Sequence, residues 1–235
     1  MSDFLLIHGS AHGAWCWRDL IPHLTAAGHS ARAIDLPSHG ADRTPPHDVT
    51  LETYADAICA ALNGPTMLVG HSMAGFPITV AADRMPTTIA KLIYLCAHVP
   101  LPGHSIADMR LRADTQPLAE AMVPSADGHT ITIRPEMAHA KFYHDVPRDL
   151  SDWAISQLCP QPVLPQTTPY HRADAPQHRR HYIRCMQDRA IPPAYQVDLT
   201  RDWPASDVTE MPTSHSPFLS DPAALAAHLI RIAES

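Results

Sequence analysis

Thr66-Met67-Leu68-Val69-Gly70-His71-Ser72-Met73-Ala74-Gly75 leads from a short, unbroken apolar run into a helical pattern that continues to about Arg84. A strand that is apolar without alternation and feeds straight into a helix belongs to a parallel sheet covered by helices. The turn between the two carries a serine among small residues. A serine on so tight a strand-to-helix turn needs small neighbours two positions before and two after, because otherwise strand and helix cannot approach. Gly70 and Ala74 meet that need, with alanine standing where the usual pattern has glycine. The turn therefore reads as a nucleophile elbow. The helix that begins after Ser72 aims its free N–H groups and positive dipole end at any anion developing beside the hydroxyl. Small-residue serine turns also arise by chance, so the rest of the chain must supply the partners.

The flanking sequence repeats the alternation of strand and helix. Phe4-Leu5-Leu6-Ile7 predicts a first strand, and Trp15, Leu20, Ile21 and Leu24 follow at helical spacing as far as Gly28, a good C-cap. Residues 31–35 predict a second strand, and residues 36–48 form a loop rich in Pro, Ser and His. Thr50 is placed as the N-cap of the next helix, with Glu52 in its first turn, Thr53 at the capping-box position, and Leu51, Tyr54, Ala55, Ile58 and Leu62 on its apolar side. Leu92-Ile93-Tyr94-Leu95-Cys96 is another continuous strand. The order β-α-β-α-β-α-β defines an α/β domain whose parallel sheet carries helices on both faces. From about Pro100 to Arg180 the pattern breaks into a proline-rich stretch with one alternating segment (129–133) and one helix (150–158). Residues 100–180 therefore read as a cap inserted over the strand ends of a single domain whose core is 1–99 and 181–235. The sheet resumes with His181-Tyr182-Ile183-Arg184-Cys185-Met186 and a weaker strand near Asp207-Val208-Thr209. A terminal helix starts at Asp221-Pro222 and carries Leu225, Leu229 and Ile232.

Composition narrows the function. The chain has 235 residues, 45% hydrophobic and 17% charged, enough for one well-filled core and unlike a disordered chain. No apolar run approaches the ~20 residues that span a bilayer. Seventeen Lys and Arg against 24 Asp and Glu give −7, which argues against a nucleic-acid partner. Met1-Ser2-Asp3 offers no basic start for a secretory signal. Five cysteines (16, 59, 96, 159, 185) form no CxxC pair, and Cys59, Cys96 and Cys185 lie in apolar runs, where free cysteine packs as a small hydrophobe. Together these features predict a reduced, cytoplasmic protein with neither nucleic-acid nor membrane partners.

Three further elements complete the chemistry. His8-Gly9-Ser10-Ala11-His12-Gly13 directly follows the first strand, where such a loop can offer a backbone N–H opposite the elbow. A phosphate-binding loop fits poorly there, since neither Gly-x-Gly-x-x-Gly nor Gly-Lys-Ser/Thr is present. An acid and a base should follow in the order Ser, Asp, His. Asp188 comes just after the strand ending at Met186, and His215 lies between the last weak strand and the terminal helix. Asp198, Asp202 and Asp207 are rival acids, but none directly follows a clear strand.

With these residues in place, the chain resembles an α/β-hydrolase of the plant methylesterase and hydroxynitrile-lyase group. The resemblance is carried by His8-Gly9-Ser10-Ala11-His12-Gly13-Ala14-Trp15-Cys16-Trp17, Gly70-His71-Ser72-Met73-Ala74-Gly75, Tyr182-Ile183-Arg184-Cys185 with Asp188, and His215-Ser216-Pro217. It covers nearly the whole chain and is loose only in the cap. As in that group, the chain opens on the strand before His8, without leading antiparallel strands. The resemblance implies a six-stranded, mainly parallel sheet, a Ser72–His215–Asp188 triad, and an oxyanion hole from the backbone N–H groups of Ser10 and Met73. It implies no metal or organic cofactor, and a homodimer as the assembly. The lyases carry Thr where this chain has Gly9, and Lys after the histidine where it has Ser216. Their absence points away from cyanohydrin cleavage and toward hydrolysis of a small-molecule ester.

The remaining histidines pose a metal question. His171, His178 and His181 lie near Arg172, Arg179 and Arg180, with Asp174 the one nearby carboxylate, and read as solvated surface rather than a metal site. His12 is placed at the pocket, and Phe142, Tyr143, Trp153 and Leu158 as candidate lining of the acyl or alcohol site, although core packing is the default for such residues. Trp15 and Trp17 read as packing. The leading expectation is a serine hydrolase of small or medium carboxylic esters. The alternatives are the same triad acting on a lactone, an amide or a C–C bond, or a ligand-binding protein on a hydrolase fold. A dehalogenase is disfavoured because the elbow residue is Ser rather than Asp.

Overall fold

The computed structural model describes residues 1–171 and 178–235. Its strands in chain order are β1 (Asp3–Ile7), β2 (Ser30–Ile34), β3 (Thr66–His71), β4 (Ile89–Leu95), β5 (Met122–Pro124), β6 (Thr130–Ile133), β7 (Gln161–Pro162), β8 (Arg180–Cys185) and β9 (Val208–Met211). The helices are α1 (Leu20–Ala26), α2 (Leu51–Ala61), α3 (Gly75–Arg84), α4 (Ile106–Leu111), α5 (Pro135–Phe142), α6 (Arg148–Ser156), α7 (Leu164–Thr167), α8 (Pro193–Leu199), α9 (Pro217–Ser220) and α10 (Pro222–Glu234).

Six strands form one parallel sheet in the order β2-β1-β3-β4-β8-β9. Successive side chains on a strand point to opposite faces, and β1 feeds two cores accordingly. Leu5 and Ile7 join Leu68, Tyr54 and Ile58 on the face covered by α2 and α3. Phe4 and Leu6 join Val69, Leu20, Leu24, Leu225 and Leu229 on the face covered by α1 and α10. Both faces are buried, which is why the strands read as continuous apolar runs.

The chain runs from β1 outward to β2 and then crosses back to β3 on the other side of β1. In such sheets the crevice at the reversal gathers the loops leaving the strand ends. Ile7 pairs with Gly70 at that edge, so the loops carrying Ser10 and Ser72 leave the sheet side by side.

Local sequence signals act as expected at several ends. Thr50 and Thr53 form a reciprocal capping box on α2, Gly28 ends α1 with φ 85°, and the Asp221 side chain accepts the Ala224 N–H at the start of α10. The helical pattern from Trp15 to Leu24 is in fact two pieces, a single 3-10 turn (Ala14–Trp17) and then α1. The turn stands apart because the Asp35 carboxylate accepts the Ala14 N–H at 2.7 Å. Cys59 is half-buried rather than in the interior. Between β4 and β8 the chain builds α4 to α7 and a small antiparallel sheet in the order β5-β6-β7. The alternating segment becomes β6, and the helix expected at 150–158 is α6, which starts two residues earlier. Helix α8 had no sequence signal of its own beyond the prolines at its start. Among the described residues no helix is long and apolar enough to cross a membrane.

The elbow is crowded from both sides. A Cβ on Gly70 would lie 2.7 Å from Ile78 Cδ1, and one on Gly75 would lie 2.0 Å from the His98 carbonyl oxygen. Gly75, rather than the pattern position Ala74, is thus where a side chain is least tolerable. Gly75→Ala is expected to lose about 1–3 kcal/mol of stability through forced backbone displacement, read as a lower urea midpoint. An unchanged midpoint would show that the loop after β4 yields freely.

Candidate active site

Ser72 leaves β3 with φ 56°, in the left-handed region that non-glycine residues rarely occupy. Its carbonyl accepts the His98 N–H at 3.0 Å, which ties the turn to the loop after β4. Ser72 lines a cavity of ≈ 50 Å³ together with His215, Ser10 and Met73. Met73 stands in the first turn of the helical stretch, where a backbone N–H has no intrahelical acceptor.

His215 and Asp188 meet as the sequence order predicts. The His215 Nδ1–H donates to Asp188 Oδ2 at 2.7 Å, and both side chains are almost fully buried. Asp188 is further held by the N–H groups of Ala190 (2.7 Å) and Ile191 (2.9 Å) on Oδ1, and by Gln196 Nε2 (3.0 Å) on Oδ2. A carboxylate with this many donors has a fixed orientation and so fixes the imidazole in turn. Gln196, on α8, has no signal in the sequence; its role follows only from folding α8 back beneath Asp188. The rival acids lie elsewhere. Asp198 is exposed and paired with Arg201, and Asp202 and Asp207 do not line the cavity.

The histidine loop is anchored through its backbone. His71 Nε2–H donates to the His215 carbonyl at 2.8 Å, and the Cys96 thiol reaches the same oxygen at 3.6 Å. The Ser214 N–H donates to Asp145 at 2.7 Å. His71, Cys96 and His215 are also the one group of potential metal ligands that converges among the described residues, with donor atoms within 4.8 Å. His71 Nε2 and the Cys96 thiol both meet the His215 carbonyl, so the trio serves as a hydrogen-bonded support of the histidine loop, with burial lowering the pKa of His71 and raising that of the Cys96 thiol. His178 faces Asp83, and His181 is buried against Thr209 rather than solvated; Arg172 and Asp174 lie outside the described residues.

The loop after β1 is fixed by a relay. The Ser10 carbonyl accepts His12 Nδ1–H at 2.8 Å, which leaves His12 Nε2 to accept the Tyr143 hydroxyl proton at 2.7 Å. Ala11, with φ 61°, donates its N–H to Gln161 Oε1 at 3.1 Å, and Gln166 Nε2 donates to Ser10 Oγ. Gly9 has no room for more: a Cβ there would lie 2.9 Å from Ser72 Cβ and 2.7 Å from His71 Nδ1.

Of the expected lining residues, His12 and Phe142 border the cavity. Tyr143, Trp153 and Leu158 do not. Tyr143 is completely buried behind His12, Trp153 packs edge-on against Trp15 beneath the Arg18 guanidinium, and Leu158 packs into the core on the α1 side. Trp17 packs against Phe218, as read. The rest of the wall includes His98, Ile106, Arg110, Met122 and Ile191, residues dispersed along the chain with no motif to mark them.

The sheet order, the turn at Ser72 and the buried Asp–His pair together define an α/β-hydrolase. The profile of the alpha/beta hydrolase family matches residues 4–228, and the chain belongs to that family. It is 29% identical to Methylesterase 17 of Arabidopsis thaliana over 252 residues, spanning 99% of this chain and 91% of that protein. A pyrethroid hydrolase from Sphingobium faniae JZ-2 superposes with a TM-score of 0.85 at 28% identity, covering 100% of this chain and 98% of that one. The Arabidopsis methylesterase MES16 superposes with a TM-score of 0.79 at 27% identity, covering 100% and 99%.

Two predictions follow from the buried imidazoles. Tyr143→Phe leaves His12 Nε2 without its donor inside the protein, so it should cost about 1–3 kcal/mol in denaturant unfolding; no loss would mean that His12 finds another partner. Burial depresses His8, His12, His71 and His98, with His12 at about 4 and His98 at about 3. Each is neutral when folded and takes a proton near pH 6.5 when unfolded. Unfolding therefore binds protons below that pH, and stability falls from about pH 6.5 toward 4, where His12 begins to protonate in the folded protein too. The slope is about 1.4 kcal/mol per pH unit for each histidine, and unfolding free energies measured from pH 7.5 to 4.5 check it.

Proposed function

We propose that this protein is a serine hydrolase of small or medium carboxylic esters, working through an acyl-enzyme on a Ser72–His215–Asp188 triad. The observation that carries the reading is the 2.7 Å His215–Asp188 hydrogen bond, with the imidazole lining the same small cavity as the Ser72 turn. Asp188 accepts a hydrogen bond from His215 Nδ1–H, so the proton of the neutral imidazole stays on Nδ1 and Nε2 is the free base. As Ser72 Oγ attacks the ester carbonyl, Nε2 accepts its proton, and Asp188 stabilises the imidazolium without itself being protonated. The negative charge forming on the carbonyl oxygen falls to the N–H groups of Ser10 and Met73. A single such donor is worth roughly 10²–10³ in rate. His215 then protonates the leaving alkoxide, and a water molecule repeats the sequence to release the acid.

Similarity to methylesterases supports ester cleavage, and the cavity size of ≈ 50 Å³ supports a compact substrate. The lack of space at Gly9 for a hydroxyl-bearing side chain weighs against cyanohydrin cleavage.

Hydrolysis of a short-chain p-nitrophenyl ester, followed side by side for wild type and Ser72→Ala, tests the reading. Turnover should vanish in the variant, and Asp188→Asn should lose up to ~10⁴ in kcat. Equal turnover by Ser72→Ala would remove Ser72 as nucleophile. Inactivity of both proteins toward all short esters would favour a ligand-binding protein on this fold. Faster turnover of long-chain than of short-chain acyl esters would overturn the size assignment.

A further inference from the structure

Next to the small cavity lies a second one of ≈ 350 Å³, and His98, Arg110, Leu118, Met122, Ala190 and Ile191 border both. Arg110 sits at this junction on α4. Its guanidinium touches Met122 Sδ at 3.6 Å, and among the described residues no carboxylate lies within ion-pair distance of it. Its neighbours in the wall, Ile106, Leu118, Met122 and Ile191, are apolar. Arg110 is half-buried, and holding a guanidinium partly out of water among such groups is costly unless an anion joins it. Burial lowers the affinity of Arg110 for its proton, with no carboxylate acting in the opposite direction.

His98 supplies a second, independent observation. It is 5% exposed, and its Nδ1 has no hydrogen-bond partner. Its backbone N–H holds the Ser72 carbonyl, so the ring stands at a fixed place beside the turn while lining both cavities. A neutral imidazole contributes one N–H donor, and a guanidinium offers a planar fork that matches a carboxylate.

We propose that Arg110 and His98 form a carboxylate subsite, and that the preferred substrates are half-esters of dicarboxylic acids. The inference rests on the reading of Ser72 as nucleophile. The ester carbonyl lies at Ser72, and the free carboxylate of the same acid reaches the guanidinium at the mouth of the second cavity. The ester C–O bond breaks, water supplies the new C–OH bond, the alkoxide departs as the alcohol with the proton from His215, and the product is a dicarboxylate.

The test compares kcat/KM for monomethyl esters of four- to eight-carbon dicarboxylic acids with neutral methyl esters of matched chain length. Wild type should favour the charged ester at one chain length, and Arg110→Met should reduce that charged-to-neutral ratio about ten- to hundredfold, the range of a charge-assisted hydrogen bond. Arg110→Lys should retain part of the preference, which separates lost charge from lost folding. A wild-type preference for the neutral ester at every length overturns the subsite, as does an equal loss on both substrates in an Arg110→Met protein with intact circular dichroism. Binding of free glutarate, measured calorimetrically, gives a readout independent of turnover. If neither ester is hydrolysed, the serine-hydrolase reading fails, while glutarate binding that Arg110→Met weakens still upholds the subsite and its absence overturns it.

Discussion

Ser72 stands in a backbone conformation that costs a non-glycine residue roughly 1–2 kcal/mol, and much of the surrounding structure serves to hold it there. Gly70 and Gly75 let strand, helix and the loop after β4 approach within distances that any Cβ would violate. The His98 N–H then fastens the Ser72 carbonyl at 3.0 Å. The hydroxyl is thereby presented at the end of β3 without depending on a flexible loop. A strain of this kind persists only where its neighbours over-determine it, and here the constraint comes from the continuous β3–α3 stretch and from the loop after β4.

The same region is built from imidazoles that burial keeps uncharged. A neutral histidine has one donor and one acceptor nitrogen, and His8 and His12 use both. His8 donates to the Gly9 carbonyl and accepts the Leu36 N–H; His12 donates to Ser10 and accepts from Tyr143. His71 donates to the carbonyl of His215. These contacts set backbone positions in the loops after β1, β2 and β9 without placing a formal positive charge beside the proposed base. The abundance of histidine thus acts on loop geometry, and His178 and His181, read from the sequence as solvated surface, turn to Asp83 and Thr209.

Sequence and structure agree where the signal is local. Continuous apolar runs gave the strands because both faces of the sheet are covered, and Thr50-x-x-Thr53 gave its helix start because capping needs only four residues. Asp188 and His215 were legible because strand ends in a parallel sheet all emerge on one edge, so sequence order alone limits which side chains can meet. Beyond that edge the signal is lost. Tyr143 and Trp153 have the composition of pocket residues, yet one is turned behind His12 and the other onto Trp15, a distinction set by how α5 and α6 pack. Gln196, Gln161 and Gln166 hold Asp188 and the loop after β1 through contacts up to 156 residues apart in the chain, and glutamine carries no periodic or spacing signature.

This difference in legibility has a physical counterpart in the molecule. The proposed reacting groups are fixed by short loops on a sheet with two buried faces, where a change in one residue disturbs several close contacts. The outer wall of the cavity comes largely from α4, β5 and β6, which meet the site through side chains such as Ile106, Arg110, Met122 and Ile131 rather than through sheet hydrogen bonds. Exchange of such a side chain alters charge and volume at the wall while leaving the Ser72 turn and the Asp188–His215 pair in place. At 27–29% identity the chain keeps the fold of methylesterases across its whole length. The wall is therefore where a substitution changes substrate choice at least cost to the fold, and it is there that the half-buried guanidinium of Arg110 stands with no carboxylate within ion-pair distance among the described residues.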